Sequence, residues 1–169
     1  MAHCFHIVFG AALVLSGSAL AQSAALLPKE GTFESKLCFS GPLTRLVVSD
    51  TERYGTYSVT GTTQSDNKAF DALKTECIAA YEMRSRVWQH RGYCVFQDAS
   101  GDKFHGSDSL TSDGGYKVVY LGGTGKFAGF SGEAIVRMIE DPAKPVPGTV
   151  QGCRQITARY MTAAAWPMP

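Results

Sequence analysis

Five glycines fall within fifteen residues in the stretch "YLGGTGKFAGFSGEA", Tyr120 to Ala134. A segment this rich in glycine either holds a phosphate group or lets the backbone reverse. The nucleotide P-loop needs a glycine five residues before Gly125 and a Ser or Thr after Lys126, but those places hold Tyr120 and Phe127. The sequence therefore excludes a P-loop.

A dinucleotide-binding loop is disfavoured for a different reason. Gly123, Gly125 and Ala128 match the pattern G-x-G-x-x-A. That mechanism needs a helix that starts here and offers its amide groups to the pyrophosphate. Gly129 and Gly132 follow at once instead, and no strand–helix–strand pattern surrounds the stretch. We therefore interpret it as a turn that joins two strands.

The turn interpretation assigns a structural role to the glycines. Glycine permits positive φ angles that other residues resist, and within a strand it allows a bend or bulge. Phe127 and Phe130 are then expected to plug a barrel end or pack beneath the turn, and Lys126 to point into solvent. The predicted structural glycines are Gly122, Gly123, Gly125, Gly129 and Gly132.

The rest of the chain alternates strand-like segments with turn signals about every ten residues, which is typical of an antiparallel sandwich or barrel. Gly41–Pro42 predicts a turn that ends the first strand, and residues 66–74 predict a short helical turn. We predict an all-β fold, an antiparallel barrel of eight strands or nearly eight, with one short helical turn.

Two segments carry a family resemblance. "GGTGKFAGFSGEA", residues 122–134, resembles the G-G-T-G-x-F/Y-x-G-x-x-G signature of the allene oxide cyclase and dirigent-like barrels. "GYCVFQDASGDKFHG", residues 92–106, resembles a pattern in small exported bacterial proteins of this class. The resemblance implies an eight-stranded barrel. That group includes cofactor-free cyclases, proteins that steer radical coupling and members without assigned activity. The cyclase's catalytic residues cannot be matched here, so the catalytic residues stay unknown.

The N-terminal segment predicts export. Residues 7–15, "IVFGAALVL", form an apolar run, and "ALA" at positions 19–21 is a signal-peptidase type of site. We predict a signal peptide over residues 1–21 with cleavage near Ala21, a barrel over 22–162, a tail over 163–169, and a periplasmic or secreted protein. A mis-assigned start or a buried N-terminal segment is the alternative, because no Lys or Arg precedes the run.

Four cysteines follow the predicted signal peptide. In an oxidising compartment they suggest two disulfides, with three possible pairings, and their long spacing argues against zinc. Cys77 and Cys94 flank a predicted hairpin, whereas Cys38 and Cys153 lie on the first and last strands, which a barrel pairs. We therefore predict the bridges Cys77–Cys94 and Cys38–Cys153.

Several polar motifs have a simpler interpretation than chemistry. "DASGD", Asp98 to Asp102, lacks the spacing of an EF-hand and predicts a hairpin turn. "GSDSL" has Ser107 where a Gly-Asp-Ser-Leu hydrolase needs glycine. His90 and His105 are interpreted as surface or cross-strand residues. We expect no metal and no cofactor.

Aromatic side chains are candidates to line a cavity, with plain core packing as the alternative. A polar group such as Gln97 or Glu133 would then orient a ligand. The candidate pocket residues are Tyr57, Trp88, Tyr93 and Phe96.

These patterns predict a disulfide-bonded barrel that binds a small apolar ligand or has a structural role. The alternative is a cofactor-independent isomerase or cyclase of the allene oxide cyclase type, which rests on fold analogy. The net charge of +1 argues against a nucleic-acid partner, and the apolar run is too short to span a membrane. An oligomer is possible but nothing in the sequence indicates one.

Overall fold

The computed structural model of the protein describes residues 27–140 and 146–162. The predicted signal peptide and tail lie outside the described residues. Eight antiparallel strands close into a barrel in chain order, which confirms the predicted fold class. The strands are β1 (Glu30–Ser49), β2 (Glu52–Gln64), β3 (Lys74–Arg84), β4 (Val87–Gln97), β5 (Lys103–Leu110), β6 (Tyr116–Gly123), β7 (Ser131–Glu140) and β8 (Thr149–Met161).

Alternation along the strands decides what the barrel contains. On β1, the side chains of Phe33, Leu37 and Phe39 are buried inside the barrel. The residues that alternate with them point to the outer face. On β8, Ile156, Ala158 and Tyr160 repeat the pattern. Each strand therefore contributes every second residue to the interior.

One end of the barrel, which we call the closed end, is filled by aromatic side chains from its loops. Phe70 comes from the β2–β3 loop, and Phe127 and Phe130 from the β6–β7 loop, and all three are at most 1% exposed. Phe70 stacks on Phe33 of β1 with ring centroids 3.8 Å apart. The glycine-rich turn thus places Phe127 and Phe130 as plugs of a barrel end.

At the other end, the mouth, four strands continue beyond the closed part of the barrel. β1 pairs with β8 only as far as Pro42, but with β2 as far as Ser49. β4 pairs with β3 from Val87, but with β5 only from Arg91. We call the overhanging four-stranded sheet the flap; it consists of residues 43–49, 52–57, 79–84 and 87–90.

Two local predictions were wrong. Gly41–Pro42 does not end β1, because Pro42 lies at the last β1–β8 pair and in a gap of the β1–β2 ladder, where a missing N–H costs little. The helical turn is a single 3-10 turn at Gly125–Phe127 and not at residues 66–74. The β2–β3 loop is instead irregular, and Thr63 near the end of β2 fixes it, because its Oγ1 donates to the carbonyl of Phe70 at 2.7 Å.

Both predicted disulfides are present. Cys38–Cys153 joins directly paired residues of β1 and β8, and Cys77–Cys94 does the same for β3 and β4. The first bridge lies on the outer face at the seam, whereas the second lines the interior. Two bridges are typical of an oxidising, extracytoplasmic environment.

The first and last described segments meet at the closed end. The backbone N–H of Thr162 donates to the carbonyl of Lys29 at 2.8 Å, and its side chain donates to Pro28 at 3.2 Å. Within the described ranges, no helix is long and apolar enough to cross a bilayer.

Candidate functional site

A cavity of about 50 Å³ lies inside the barrel between the aromatic plug and the mouth. A single water occupies roughly 10–15 Å³ on this measure, and a cavity of about 150 Å³ holds benzene. The space therefore suits a short chain of a few atoms. Its walls are mostly apolar and include Leu37, Val59, Cys77, Cys94, Val118 and Ile156.

A polar layer separates the cavity from the mouth. The Tyr57 hydroxyl and His90 Nε2 lie 2.8 Å apart and share a hydrogen bond. His90 Nδ1 lies 3.3 Å from Asp108 Oδ2, although the angles leave this nitrogen without a hydrogen-bond partner. The His90 and Asp108 side chains are only 6% and 10% exposed. The polar layer consists of Tyr57, His90, Asp108, Tyr116 and Arg154.

A glycine on the neighbouring strand makes room for the carboxylate. Gly92 of β4 is paired directly with Asp108 of β5. A β-carbon at position 92 would collide with the Asp108 carboxylate. Gly92 is therefore required for a charged side chain to turn inward at this point.

Arg154 extends from β8 into the same layer. Its guanidinium carbon lies 4.1 Å from the ring centre of Tyr116 and 4.9 Å from that of Phe39. Cation–π contacts of this kind hold the guanidinium group over the two rings. Its Nε is buried and has no hydrogen-bond partner. Arg154 thus places an incompletely bonded positive charge beside the cavity.

Burial controls the protonation of the layer. It raises the pKa of Tyr57 to about 12 and, together with the charge of Arg154, lowers the pKa of His90 to about 4. Burial also raises the pKa of the Asp108 carboxyl, and Arg154 opposes that shift. His90 is therefore neutral at neutral pH, and Asp108 is a stronger base than an exposed carboxylate.

The four predicted pocket residues have different locations. Tyr57 and Phe96 line the cavity. Tyr93 does not, because Cys94 and Phe96 point inward and alternation turns Tyr93 to the outer face, where it is 49% exposed. Trp88 lies on the flap, beyond the closed part of the barrel, and is 47% exposed.

Sequence reasoning did not identify the polar residues of the interior. The side chain of His90 is buried on the inner face of β4, at the base of the flap, and is not on the surface. Glu133 points outward to Lys117, with Oε2 and Nζ 2.9 Å apart. Asp108 and Arg154 were not singled out at all. A usable signal was the Cys77–Cys94 bridge, since two inward cysteines fix the parity of their strands and place His90 on the inner face of β4.

The glycine-rich turn is structural, as the turn interpretation expects. Four of its five glycines have φ between +55° and +154°, and a β-carbon on Gly123 would meet the carbonyls of Phe127 and Lys103. The expectation that Lys126 points into solvent was wrong. Its Nζ lies 2.7 Å from Asp98 Oδ2, and its N–H donates to Asp102 Oδ2 at 2.9 Å. This pairing ties the turn to the "DASGD" hairpin.

The other motifs remain structural or peripheral. Asp98 Oδ1 accepts hydrogen bonds from the backbone N–H groups of Ser100 and Asp102, as in a hairpin turn. Alternation places Ser107 on the outer face of β5, away from His90. No group of three or more His, Cys, Asp or Glu residues in the described part of the chain is arranged to hold a metal ion.

Comparison with protein families, with curated proteins and with solved structures gives no match for this chain. The chemistry of the site is therefore inferred from its own geometry.

Proposed function

We propose that the protein binds a small amphipathic molecule in the barrel, with its apolar part in the cavity and its polar head at the polar layer. The observation that carries this proposal is an apolar cavity bounded on one side by Tyr57, Asp108 and Arg154, where the Nε of Arg154 is buried without a hydrogen-bond partner. His90 lies behind them and is hydrogen-bonded to Tyr57. Buried polar groups in proteins nearly always have partners, so unpaired ones beside a cavity indicate a ligand.

The direction of entry follows from the two barrel ends. The closed end is packed with rings such as Phe70 and Phe127 that have essentially no exposure. In the part of the chain that the structure describes, the mouth ends in the flap, where Leu46, Val47 and Val48 are exposed. A ligand therefore enters from the flap, passes between the side chains of the polar layer and leaves its head there.

Two neighbouring valines of β6 test this proposal. Val118 lines the cavity, whereas Val119 is 38% exposed on the outer face. Native mass spectrometry of purified protein should show a co-purifying small molecule in the wild type and in Val119→Phe. Val118→Phe fills the cavity and should lose it. Retention of the ligand by Val118→Phe would place binding elsewhere.

A second candidate, a cofactor-independent isomerase, is favoured by the Asp108 carboxylate. It lines the cavity, is desolvated and lies within 3.3 Å of His90. In this candidate Asp108 takes a proton from a carbon next to a carbonyl and returns it to another carbon of the enolate, so that the isomerisation needs no cofactor. Resemblance of the glycine motif to the allene oxide cyclase and dirigent-like class supports this candidate by analogy only.

Deuterium exchange distinguishes the isomerase from a binding protein. Small ketones that fit the cavity should exchange their α-hydrogens in heavy water faster with wild-type protein than with Asp108→Asn. Equal exchange by the two proteins, at equal ligand occupancy, would leave only the binding function.

We also propose that the protein acts in the periplasm or outside the cell. The two disulfides and the apolar segment at residues 7–15 support this location. The intact mass of the mature protein tests it, because cleavage near Ala21 leaves a chain that begins at about Gln22. A cytosolic protein of full length with reduced cysteines would contradict the proposal.

A further inference from the structure

The described charged side chains on the inward-facing side of the mouth are mostly positive. The row of directly paired residues that contains His90 also contains Arg45 of the flap, so the two side chains share one face. Arg53 occupies the next inward position, paired with the buried Met83. Arg154 adds a third guanidinium group in the polar layer itself.

These guanidinium groups are incompletely bonded. The Nε atoms of Arg53 and Arg154 are buried without a hydrogen-bond partner, whereas the Nε of Arg45 donates to the Tyr81 hydroxyl at 3.2 Å. Among inward strand positions whose side chains the structure describes, Asp108 holds the only carboxylate. Positive charge therefore exceeds negative charge among these described positions. The Nε groups of Arg53 and Arg154 are buried donors without an acceptor, which is energetically costly.

We propose that the polar head of the ligand is a carboxylate that binds Arg154, and that Arg45 and Arg53 attract it to the mouth. This inference rests on the proposed binding function. A guanidinium group holds a carboxylate through two parallel charge-assisted hydrogen bonds, and the Nε of Arg154 supplies one of the donors. A tail of a few carbons then fills the cavity beneath.

Asp108 makes this binding depend on pH. The titratable and charged groups around it are Tyr57 on β2, His90 on β4, Tyr116 on β6 and Arg154 on β8. Ionised Asp108 competes with the ligand for Arg154, whereas protonated Asp108 does not. The affinity for the ionised form of a carboxylate therefore falls as pH rises through the pKa of Asp108, and Asp108→Asn binds that form more tightly with little pH dependence.

Calorimetric titration with hexanoate, 1-hexanol and hexylammonium tests the inference. Wild-type protein should bind hexanoate at least about tenfold more tightly than 1-hexanol, since a charge-assisted pair is replaced by a neutral hydrogen bond. Arg154→Met should remove this preference and Arg154→Lys should keep part of it. Arg159→Met is the matched control, because Arg159 lies on the same strand but points outward and is 67% exposed.

The possible results separate the two proposals. Equal affinity for hexanoate and 1-hexanol, or full hexanoate binding by a folded Arg154→Met, overturns the carboxylate inference and leaves the cavity proposal standing. If the wild type binds none of the three probes, the proposed function fails and this inference fails with it. If Arg154→Met does not fold, two other results still overturn the inference. One is a preference for hexanoate that is undiminished in Arg154→Lys. The other is a pH profile of binding that Asp108→Asn leaves unchanged.

Discussion

The closed end and the mouth are built from the same eight strands, but their interiors differ in kind. At the closed end Phe70, Phe127 and Phe130 are packed against one another, and Lys126 is paired with Asp98. At the mouth Arg53 and Arg154 have buried nitrogen atoms without partners, and flap residues such as Val47 are 57% exposed. Both ends leave buried polar atoms without partners, but those of the closed end are the hydroxyls of Ser35, Thr75 and Ser131, whereas those of the mouth are nitrogen atoms of Arg53, His90 and Arg154.

This difference separates stability from function along one barrel. Local rules of packing and hydrogen bonding are broken in natural proteins mainly where function requires it. A closed end packed with aromatic rings supplies much of the free energy of folding, so the mouth can retain the unpaired nitrogen atoms of Arg53, His90 and Arg154. Four kinds of substitution test this division, from the largest expected effect to the smallest.

Removal of the central plug should have the largest effect. Phe70→Ala empties a site that is 0% exposed and should lower the free energy of unfolding by about 3–5 kcal/mol. Trp88→Ala on the flap is the matched control and should cost less than about 1 kcal/mol. Urea denaturation measures both. Comparable losses from the two substitutions would show that stability is not concentrated at the closed end.

The two disulfides should differ in strength. Cys38–Cys153 links residues 115 positions apart and Cys77–Cys94 links residues 17 apart. The chain-entropy account gives roughly 4.7 kcal/mol for a loop of about 100 residues and roughly 3 kcal/mol for one of about 15. Replacing the seam cysteines by serine should therefore destabilise the barrel more than replacing Cys77 and Cys94. A larger loss from the inner bridge would mean that packing around the cavity dominates.

The mouth should respond to mild acid through His90 and Asp108. The folded pKa of His90 is about 4, below its usual 6.5, so the folded protein binds fewer protons than the unfolded chain between these values. The contribution of His90 is complete above pH 6.5 and is lost as pH falls to about 4. The raised pKa of Asp108 acts in the opposite direction.

Two variants separate these terms in denaturation curves recorded across the same pH window. His90→Gln should flatten the loss of stability, and Asp108→Asn should steepen it. A pH dependence that both variants leave unchanged would assign the titration to other groups.

Charged groups at the two ends should give the smallest effects, with different signs. Lys126→Met removes the ion pair with Asp98, although Asp98 keeps its hydrogen bonds from Ser100 and Asp102, and should cost about 1 kcal/mol. Arg53→Met removes a buried nitrogen that has no partner and should be neutral or stabilising by up to about 1 kcal/mol. Thermal unfolding resolves such differences. A clear loss from Arg53→Met would show that its guanidinium group is satisfied after all.

The sequence predicted what depends on local chemistry. The glycines of the 122–132 turn, the pairing of Cys38 with Cys153 and the number of strands followed from backbone freedom, barrel closure and turn spacing. The turn predicted at Gly41–Pro42 was wrong because the sequence does not show where β8 stops pairing with β1. A proline at that position is tolerated within a strand. The flap could not be predicted for the same reason, because the length of a strand does not show how far its neighbours pair with it.

The polar layer needed information that short strands do not carry. Tyr93 and His90 exchange places between the interior and the surface when the strand register moves by one residue. Nothing in the sequence marks Arg154 and Asp108 as interior residues, because their common location depends on β5 and β8 being brought together by the closed barrel. Gly92 makes room for the Asp108 carboxylate, but it indicates an inward carboxylate only when the pairing of β4 with β5 is known.

The hydrogen bond from Thr162 to Lys29 has a practical consequence for engineering. The first and last described segments meet at the closed end, on the side opposite the flap. A tether attached there would present the mouth to solution on a biosensor chip. The same proximity makes a circular permutant feasible, with a short linker across that junction and new ends at the β3–β4 turn, where Ser85 and Arg86 are exposed.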